Sequence, residues 1–176
     1  MLEYDLTVCG LDELELHAEA GVSHAISIID PEEPTPPELR QYPELREHWV
    51  LRFHDVSHAL PGARPPDAED VADLLAMGAQ LAEARPSHLL VHCHAGVSRS
   101  AAAAVILMAR EAPGREREAL ETVYRLRPVA APNARLIKLA DTALARDGAL
   151  SRALDTTLTE RLHGRRPGLF QTLFGR

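Results

Sequence analysis

The sequence alternates short apolar runs with longer stretches of helical periodicity, and this alternation constrains the fold more than any other feature. Such alternation is typical of parallel strands joined by helices. We therefore predict an α/β fold: a single domain with a mostly parallel central sheet flanked by helices on both faces. The predicted strands are residues 6–9, 24–29, 50–53 and 88–93, and the predicted helices are residues 12–19, 67–83, 99–111, 115–125, 132–146 and 151–162.

Length and charge limit the number of sites and the kinds of partner. The chain has 176 residues, which suits one core domain, predicted as residues 1–150, followed by a helical and basic tail, residues 151–176. Acidic residues outnumber basic ones by 26 to 19, and the formal net charge is −7. This balance argues against binding of nucleic acid, so any basic site must be local.

The amino-terminal sequence, the longest apolar run and the two cysteines together indicate where in the cell the protein is located. The acidic amino-terminal sequence does not have the pattern of a signal peptide, and the longest apolar run, residues 101–109, is about half the ~20 residues that span a bilayer. Two cysteines form no disulfide framework, so we expect reduced thiols and a cytoplasmic location.

The tail carries an apolar quartet spaced for one face of a short helix. We expect this face to dock on its own domain or on a second copy in a homodimer, and membrane association is the less favoured interpretation. The quartet consists of Leu169, Phe170, Leu173 and Phe174.

The strongest chemical signal is a strand, a short loop and a helix in succession. The apolar run 88–93 ends in Cys93, and after five intervening residues Arg99 begins the alanine-rich pattern 99–111. A tight loop at a helix N-terminus gathers backbone N–H groups and the positive end of the helix dipole, which favours a bound phosphate. The same field stabilises a thiolate, so Cys93 is a candidate nucleophile.

The residues around Cys93 suit phosphoryl transfer. Arg99 can grip two phosphate oxygens with its planar fork, and Gly96 supplies the backbone freedom for the turn. Ser100 can offer a hydroxyl hydrogen bond to the sulfur, and His92 is predicted to orient the loop. The predicted phosphate-binding residues are His94, Ala95, Gly96, Val97, Ser98 and Arg99.

Two motifs resemble a known superfamily. Residues 92–100, HCHAGVSRS, match the signature of the dual-specificity and tyrosine phosphatases: His-Cys, five residues, Arg, then Ser or Thr. Residues 126–133, LRPVAAPN, are similar to a segment of the compact members in which an arginine and an asparagine brace the loop. The resemblance implies that Arg127 and Asn133 have this supporting role. It covers residues 5–146 and is looser before residue 50.

The resemblance implies a compact, bacterial-type phosphatase that works through a phosphocysteine intermediate and needs no cofactor or metal. Its substrate would be a phosphorylated protein or a small phosphate monoester. The loop carries no lysine, which disfavours inositol phosphates, and phosphotyrosine is the favoured group. The alternatives are a non-catalytic phosphoresidue-binding module and a rhodanese-like or arsenate-reducing enzyme. Retention of both Cys93 and Arg99 disfavours the module, and the late position of the loop disfavours reductases of the low-molecular-weight type.

The general acid of this superfamily is an aspartate upstream of the signature, at the end of the preceding strand. Asp55 fits, because it follows the third predicted strand and stands 38 positions before Cys93. Asp67 and Asp70 are the alternatives. However, Asp67 suits the N-cap of the next helix and Asp70 suits its first turn.

The second cysteine, the histidines near Cys93 and the acidic residues of segment 30–43 are predicted to have structural roles or to lie on the surface, and not to carry chemistry. Cys9 is predicted to be a core residue, and metal binding by His92 and His94 is disfavoured because His94 lies in the loop. The segment 30–43 is rich in proline and acid and is predicted to be a surface excursion without regular structure. Its acidic residues, Asp30, Glu32 and Glu33, are predicted to be a solvated run.

Overall fold

A computed structural model describes residues 3–164 of the chain. Four strands form one sheet in the order β1-β4-β2-β3, and every neighbouring pair is parallel, as predicted. Parallel pairing places the carboxyl ends of all four strands along one edge, where ligands of such sheets bind. The strands are β1 Asp5–Cys9, β2 His24–Ile29, β3 Glu47–Arg52 and β4 His88–Cys93.

Helices cover both faces of the sheet, as predicted, but they differ in kind. The main core lies between the sheet and the α-helices, and a smaller core lies under two 3-10 helices on the other face. The α-helices are α1 Ala68–Ala84, α2 Arg99–Glu111, α3 Glu116–Leu126, α4 Ala134–Ala143 and α5 Ala149–Gly164, and the 3-10 helices are Leu11–His17 and Pro37–Gln41.

The two 3-10 helices correct two predictions. The helix predicted at 12–19 is a 3-10 helix that buries only Leu14, too narrow an apolar face to sustain a longer α-helix. Within the predicted excursion 30–43, a second 3-10 helix starts at Pro37, and the segment buries Leu39 and Tyr42. The prediction that the segment holds no element is therefore wrong. The physical reason is that proline at the first position of a helix fixes φ at a helical value.

Helix α2 fixes the position of the loop that precedes it. Its residues from Arg99 to Ala109 are all buried, and the alanines let its backbone approach the sheet closely. Because α2 follows β4 after only five residues, its N-terminus opens at the carboxyl end of a central strand. The predicted loop therefore lies at the edge where parallel sheets place their ligands.

The end of the described chain packs on the domain. Helix α5 contacts α3 and α4, and it buries Leu150 and Leu154 in the main core. The division predicted after residue 150 falls in the first turn of α5, and we keep it as a proposal about where the catalytic part ends. The apolar quartet of the tail lies outside the described residues. None of the helices in residues 3–164 is long and apolar enough to cross a membrane.

Candidate active site

Cys93 lies at the bottom of the loop between β4 and α2. Its side chain is buried, and its Sγ atom is 3.1 Å from Oγ of Ser100, in the first turn of α2. The structure thus brings together the predicted nucleophile and the predicted hydroxyl partner of its sulfur. His92, one residue earlier, is fully buried, whereas His94 and Ala95 are exposed.

The backbone of the loop separates its acceptors from its donors. Every carbonyl oxygen from His94 to Ser98 accepts a hydrogen bond from a group outside the loop. Across residues 3–164, by contrast, we find no acceptor for any backbone N–H from His94 to Arg99. A row of free N–H groups at a helix N-terminus forms a concave seat for an anion. Six groups donate to these five carbonyl oxygens: in chain order of the acceptors they are Leu11 N, Arg127 Nη2, Arg127 Nε and Ala131 N, and then both Asn133 N and Ala102 N on Ser98.

Gly96 allows the loop to lie against the end of β1. Its φ is +66°, and a Cβ atom at this position would lie 2.3 Å from the carbonyl carbon of Cys9 and 2.4 Å from the nitrogen of Gly10. Any larger residue would meet both a strained backbone conformation and a fixed main chain. The predicted need for glycine therefore has two physical causes, the turn and the close approach.

Arg127 braces the loop from outside. Its Nε donates to the carbonyl oxygen of Gly96 at 3.1 Å, and its Nη2 donates to that of Ala95 at 3.2 Å. Its Nη1 donates to Oε1 of Glu13 at 2.7 Å, and this hydrogen bond raises the pKa of Arg127 and lowers that of Glu13. Glu13 was not among the residues predicted for the site. The sequence signal for it is the spacing, because a glutamate three positions after an N-cap residue is typical of a capping box. In the structure, Oε2 of Glu13 accepts from the Gly10 N–H.

Asn133 connects the loop to Asp55. Its Nδ2 donates to Oδ1 of Asp55 at 2.8 Å, while its Oδ1 caps the N-terminus of α4. Ser98, in the loop itself, also donates to Asp55 Oδ1, at 2.7 Å. Asp55 is exposed, so its carboxylate is held beside the loop while facing solvent.

The alternative acids are placed elsewhere. Asp67 is the N-cap of α1, as predicted, and its side chain accepts from the N–H groups of Glu69 and Asp70. The side chain of Asp70 returns a hydrogen bond to the N–H of Asp67, and its Oδ1 pairs with Arg64 at 3.0 Å. Both carboxylates are therefore engaged at the start of α1, and of the three candidates only Asp55 contacts the loop in the structure.

Arg99 is buried and is held by a residue that the sequence analysis assigned to the surface. Its Nη1 donates to Oδ1 of Asp30 at 2.5 Å and to the carbonyl oxygen of Phe53 at 2.7 Å. The prediction that Asp30 belongs to a solvated run is therefore wrong. Asp30 directly follows β2, the sheet neighbour of β4, and this adjacency brings it beside the loop.

A small polar cluster lies on the rim of the site. Asp30, Glu32 and His54 each direct a potential ligand atom to one region, within 4.8 Å of one another. However, Nδ1 of His54 accepts from the N–H of Arg64 at 2.9 Å, so a neutral ring carries its proton on Nε2, which faces Glu32 at 3.2 Å. A protonated ring nitrogen cannot bind a metal, and Asp30 is engaged by Arg99. We interpret the cluster as a hydrogen-bonded rim.

Comparison with solved structures identifies the fold. The structure is similar to human DUSP28 (TM-score 0.59, 19% identity, 88% of this chain and 94% of that chain). It is also similar to the Yvh1 phosphatase domain of Chaetomium thermophilum (TM-score 0.58, 21% identity, 85% and 96%). A third similar structure is the PTP-2 phosphatase of Cydia pomonella (TM-score 0.57, 24% identity, 78% and 84%). No protein-family model matches the sequence, and no curated protein matches it.

The fold is therefore that of the dual-specificity and protein tyrosine phosphatases, as the two motifs predicted. The likeness extends over more than three quarters of the chain in each of these comparisons.

Proposed function

We propose that the protein is a phosphoprotein phosphatase that hydrolyses phosphate monoesters, above all phosphotyrosine, through a phosphocysteine intermediate. The observation that carries this proposal is the row of free backbone N–H groups around Cys93. The buried guanidinium of Arg99 adds a second argument, because its Nε has no partner in the described chain although Nη1 has two. A bound phosphate dianion would satisfy these donors together.

The reaction would proceed in two displacements. The Cys93 thiolate attacks phosphorus, so that an S–P bond forms and the P–O bond to the alcohol or phenol breaks. Asp55 protonates the leaving oxygen, and the resulting carboxylate then takes a proton from water as the water oxygen attacks phosphorus. The S–P bond breaks, and the Ser100 hydroxyl stabilises the departing thiolate through its contact with Sγ. Arg99 and the loop N–H groups stabilise the charge on the phosphoryl oxygens in both steps.

Matched phosphopeptides test this proposal. We expect release of inorganic phosphate from a phosphotyrosine peptide to be faster than from a phosphoserine peptide of the same sequence, because a buried sulfur is reached more easily by a long aryl phosphate. Orthovanadate, a phosphate mimic, should abolish the release. Equal rates would indicate a true dual-specificity enzyme. Saturable phosphopeptide binding without any phosphate release would indicate a non-catalytic binding module, and thiosulfate- or arsenate-dependent turnover alone would indicate the rhodanese-like or arsenate-reducing alternative.

Substitution of Asp55 tests the general acid. Asp55→Asn keeps the side-chain oxygen that accepts from Ser98 and Asn133 but cannot deliver a proton. We expect kcat on a phosphopeptide to fall by about 10²- to 10⁴-fold. The fall should be much smaller on an aryl phosphate with an activated leaving group, which needs no protonation. Activity of the variant should also no longer decline on the alkaline side of the pH–rate profile.

Asp67→Asn is the matched control, because Asp67 lies in the same connection between β3 and α1 as Asp55 and caps α1. We expect it to keep activity on both substrates and to lose about 1 kcal/mol or less of the free energy of unfolding, since asparagine also caps helices. Equal losses on the good and the poor leaving group in Asp55→Asn would contradict the assignment.

Two further expectations about the whole protein remain proposals. Cys9 and Cys93 are both free thiols, which supports a reducing, cytoplasmic location for the proposed bacterial-type enzyme. For the tail, we propose self-docking or a homodimer contact through its apolar quartet.

A further inference from the structure

A chain of hydrogen bonds runs from His92, beside the proposed nucleophile, to the outer strand of the sheet. Nε2 of His92 lies 2.5 Å from Oγ of Ser27, and the same Oγ lies 2.7 Å from Nε2 of His48. His92 is on β4, Ser27 stands opposite it on β2, and His48 is on the edge strand β3. His92 and Ser27 are fully buried, whereas His48 is partly exposed.

The single proton of the serine hydroxyl links the two rings. If both ring nitrogens accepted, the hydroxyl could supply only one of them. If both donated, the hydroxyl proton would lack an acceptor, and these two rings are the partners of Ser27 Oγ in the described chain. One ring must therefore donate to Ser27 while the other accepts from it. When Nε2 of His48 donates, Nε2 of His92 accepts, and the ring proton of His92 then resides on Nδ1.

The surroundings of His92 favour this arrangement. Burial lowers the pKa of His92 to about 4, so the ring is neutral and carries one proton. Its Nδ1 is buried and has no hydrogen-bond partner in the described chain, while the backbone of Cys93 raises the pKa of the ring. A bare Nδ1 would be a buried acceptor without a donor, which costs about 1–3 kcal/mol. The effect of the Cys93 backbone on the pKa of the ring, which stabilises a ring proton, favours a proton on Nδ1 over a bare nitrogen there.

We propose that His48, acting through Ser27, keeps the ring proton of His92 on Nδ1 and thereby fixes the orientation of the His92 ring, directly before Cys93 at the start of the phosphate loop. His48 and Ser27 are positioning residues in this proposal, since they act only through His92. The proposed effect on turnover rests on the proposed function, whereas the linked protonation of the two rings does not.

The substitution His48→Phe tests the proposal at the exposed end of the chain. Phenylalanine suits an edge strand but cannot donate to Ser27, so the hydroxyl becomes free to accept from a proton on Nε2 of His92. We expect the ¹⁵N spectrum of the imidazole groups to show a population of His92 protonated on Nε2. We also expect kcat/KM on a phosphotyrosine peptide to fall on the order of tenfold, as displacement of a reacting group would cause.

Two variants serve as controls. His48→Gln supplies an amide N–H that can donate to Ser27 and should restore both the His92 tautomer and most of the activity. His24→Phe removes another histidine of the same sheet, which hydrogen-bonds to Ser23 at 2.9 Å and stacks on Trp49 but has no hydrogen bond to Ser27 or His92. We expect this variant to leave the tautomer and kcat/KM unchanged.

The outcomes separate this inference from the proposed function. An unchanged His92 tautomer in His48→Phe overturns the inference, and so does equal loss of activity in the Phe and Gln variants. The ¹⁵N measurement requires no turnover. Failure of the wild-type protein to hydrolyse any phosphate ester would therefore overturn the proposed function while leaving the tautomer test valid.

Discussion

Cys93→Ser is expected to abolish turnover while leaving anion binding intact. Serine lacks a thiolate, and the side chain that contacts Sγ in the described residues is the Ser100 hydroxyl, which is not a base, so kcat should fall by at least about a thousandfold. The loop N–H groups and Arg99 are unchanged by the substitution and should still bind inorganic phosphate or vanadate. Phosphate release and calorimetric titration with vanadate measure the two quantities separately.

The second cysteine provides the matched control. Cys9 packs in the smaller core with Leu14 and Leu90, and burial raises its pKa to about 12, so its thiol stays protonated at neutral pH. Cys9→Ala should therefore retain turnover, and iodoacetamide should inactivate the wild type by alkylating Cys93 and not Cys9. Comparable turnover in Cys93→Ser and the wild type would rule out the proposed mechanism.

The first and last residues of the elements that are buried on both sides were predictable from the sequence. The bounds of β2, β4 and α2 agree with those predicted, because each is an apolar run ended by a residue of different character. Strand β3 begins three residues earlier than predicted. As an edge strand, it starts with Glu47, His48 and Trp49, which are partly or fully exposed and do not form an apolar run.

The parts of the candidate site that are contiguous in sequence were also predictable. The loop from Cys93 to Arg99 is contiguous, and the segment containing Arg127 and Asn133 was identified by its resemblance to a known motif. The structure places both segments together through direct hydrogen bonds between them. Their roles in binding phosphate remain a proposal.

The partners missed by the sequence analysis depend on the order of strands in the sheet. Asp30 reaches Arg99, and Ser27 reaches His92, because β2 pairs with β4 although 58 residues separate the end of one strand from the start of the other. Hydrophobic periodicity identifies the strands but does not specify which of them are neighbours. Once the order β1-β4-β2-β3 is known, Asp30 can be predicted to contact Arg99, because Asp30 follows β2 and Arg99 follows the loop after the neighbouring strand β4.

Arg99→Lys is expected to reduce kcat/KM by about 10²- to 10³-fold, equivalent to about 2.7–4 kcal/mol of transition-state stabilisation. The guanidinium of Arg99 commits Nη1 to Asp30 and to the carbonyl oxygen of Phe53 while its Nε remains free for an anion. A lysine has one nitrogen, which cannot occupy both positions, and Asp30 would compete with the substrate for it. Steady-state kinetics on a phosphotyrosine peptide measure the loss.

Arg110→Lys, near the other end of the same helix, is the matched control and should leave kcat/KM unchanged, because Arg110 pairs with the neighbouring Glu111 far from the loop. Asp30→Asn gives a third measurement. Asparagine can still accept from Nη1 of Arg99 but carries no charge, so the guanidinium should stay in position while its hydrogen bond to residue 30 weakens. We expect a loss of activity smaller than that of Arg99→Lys. A drop of less than tenfold in Arg99→Lys would show that Arg99 does not stabilise the transition state.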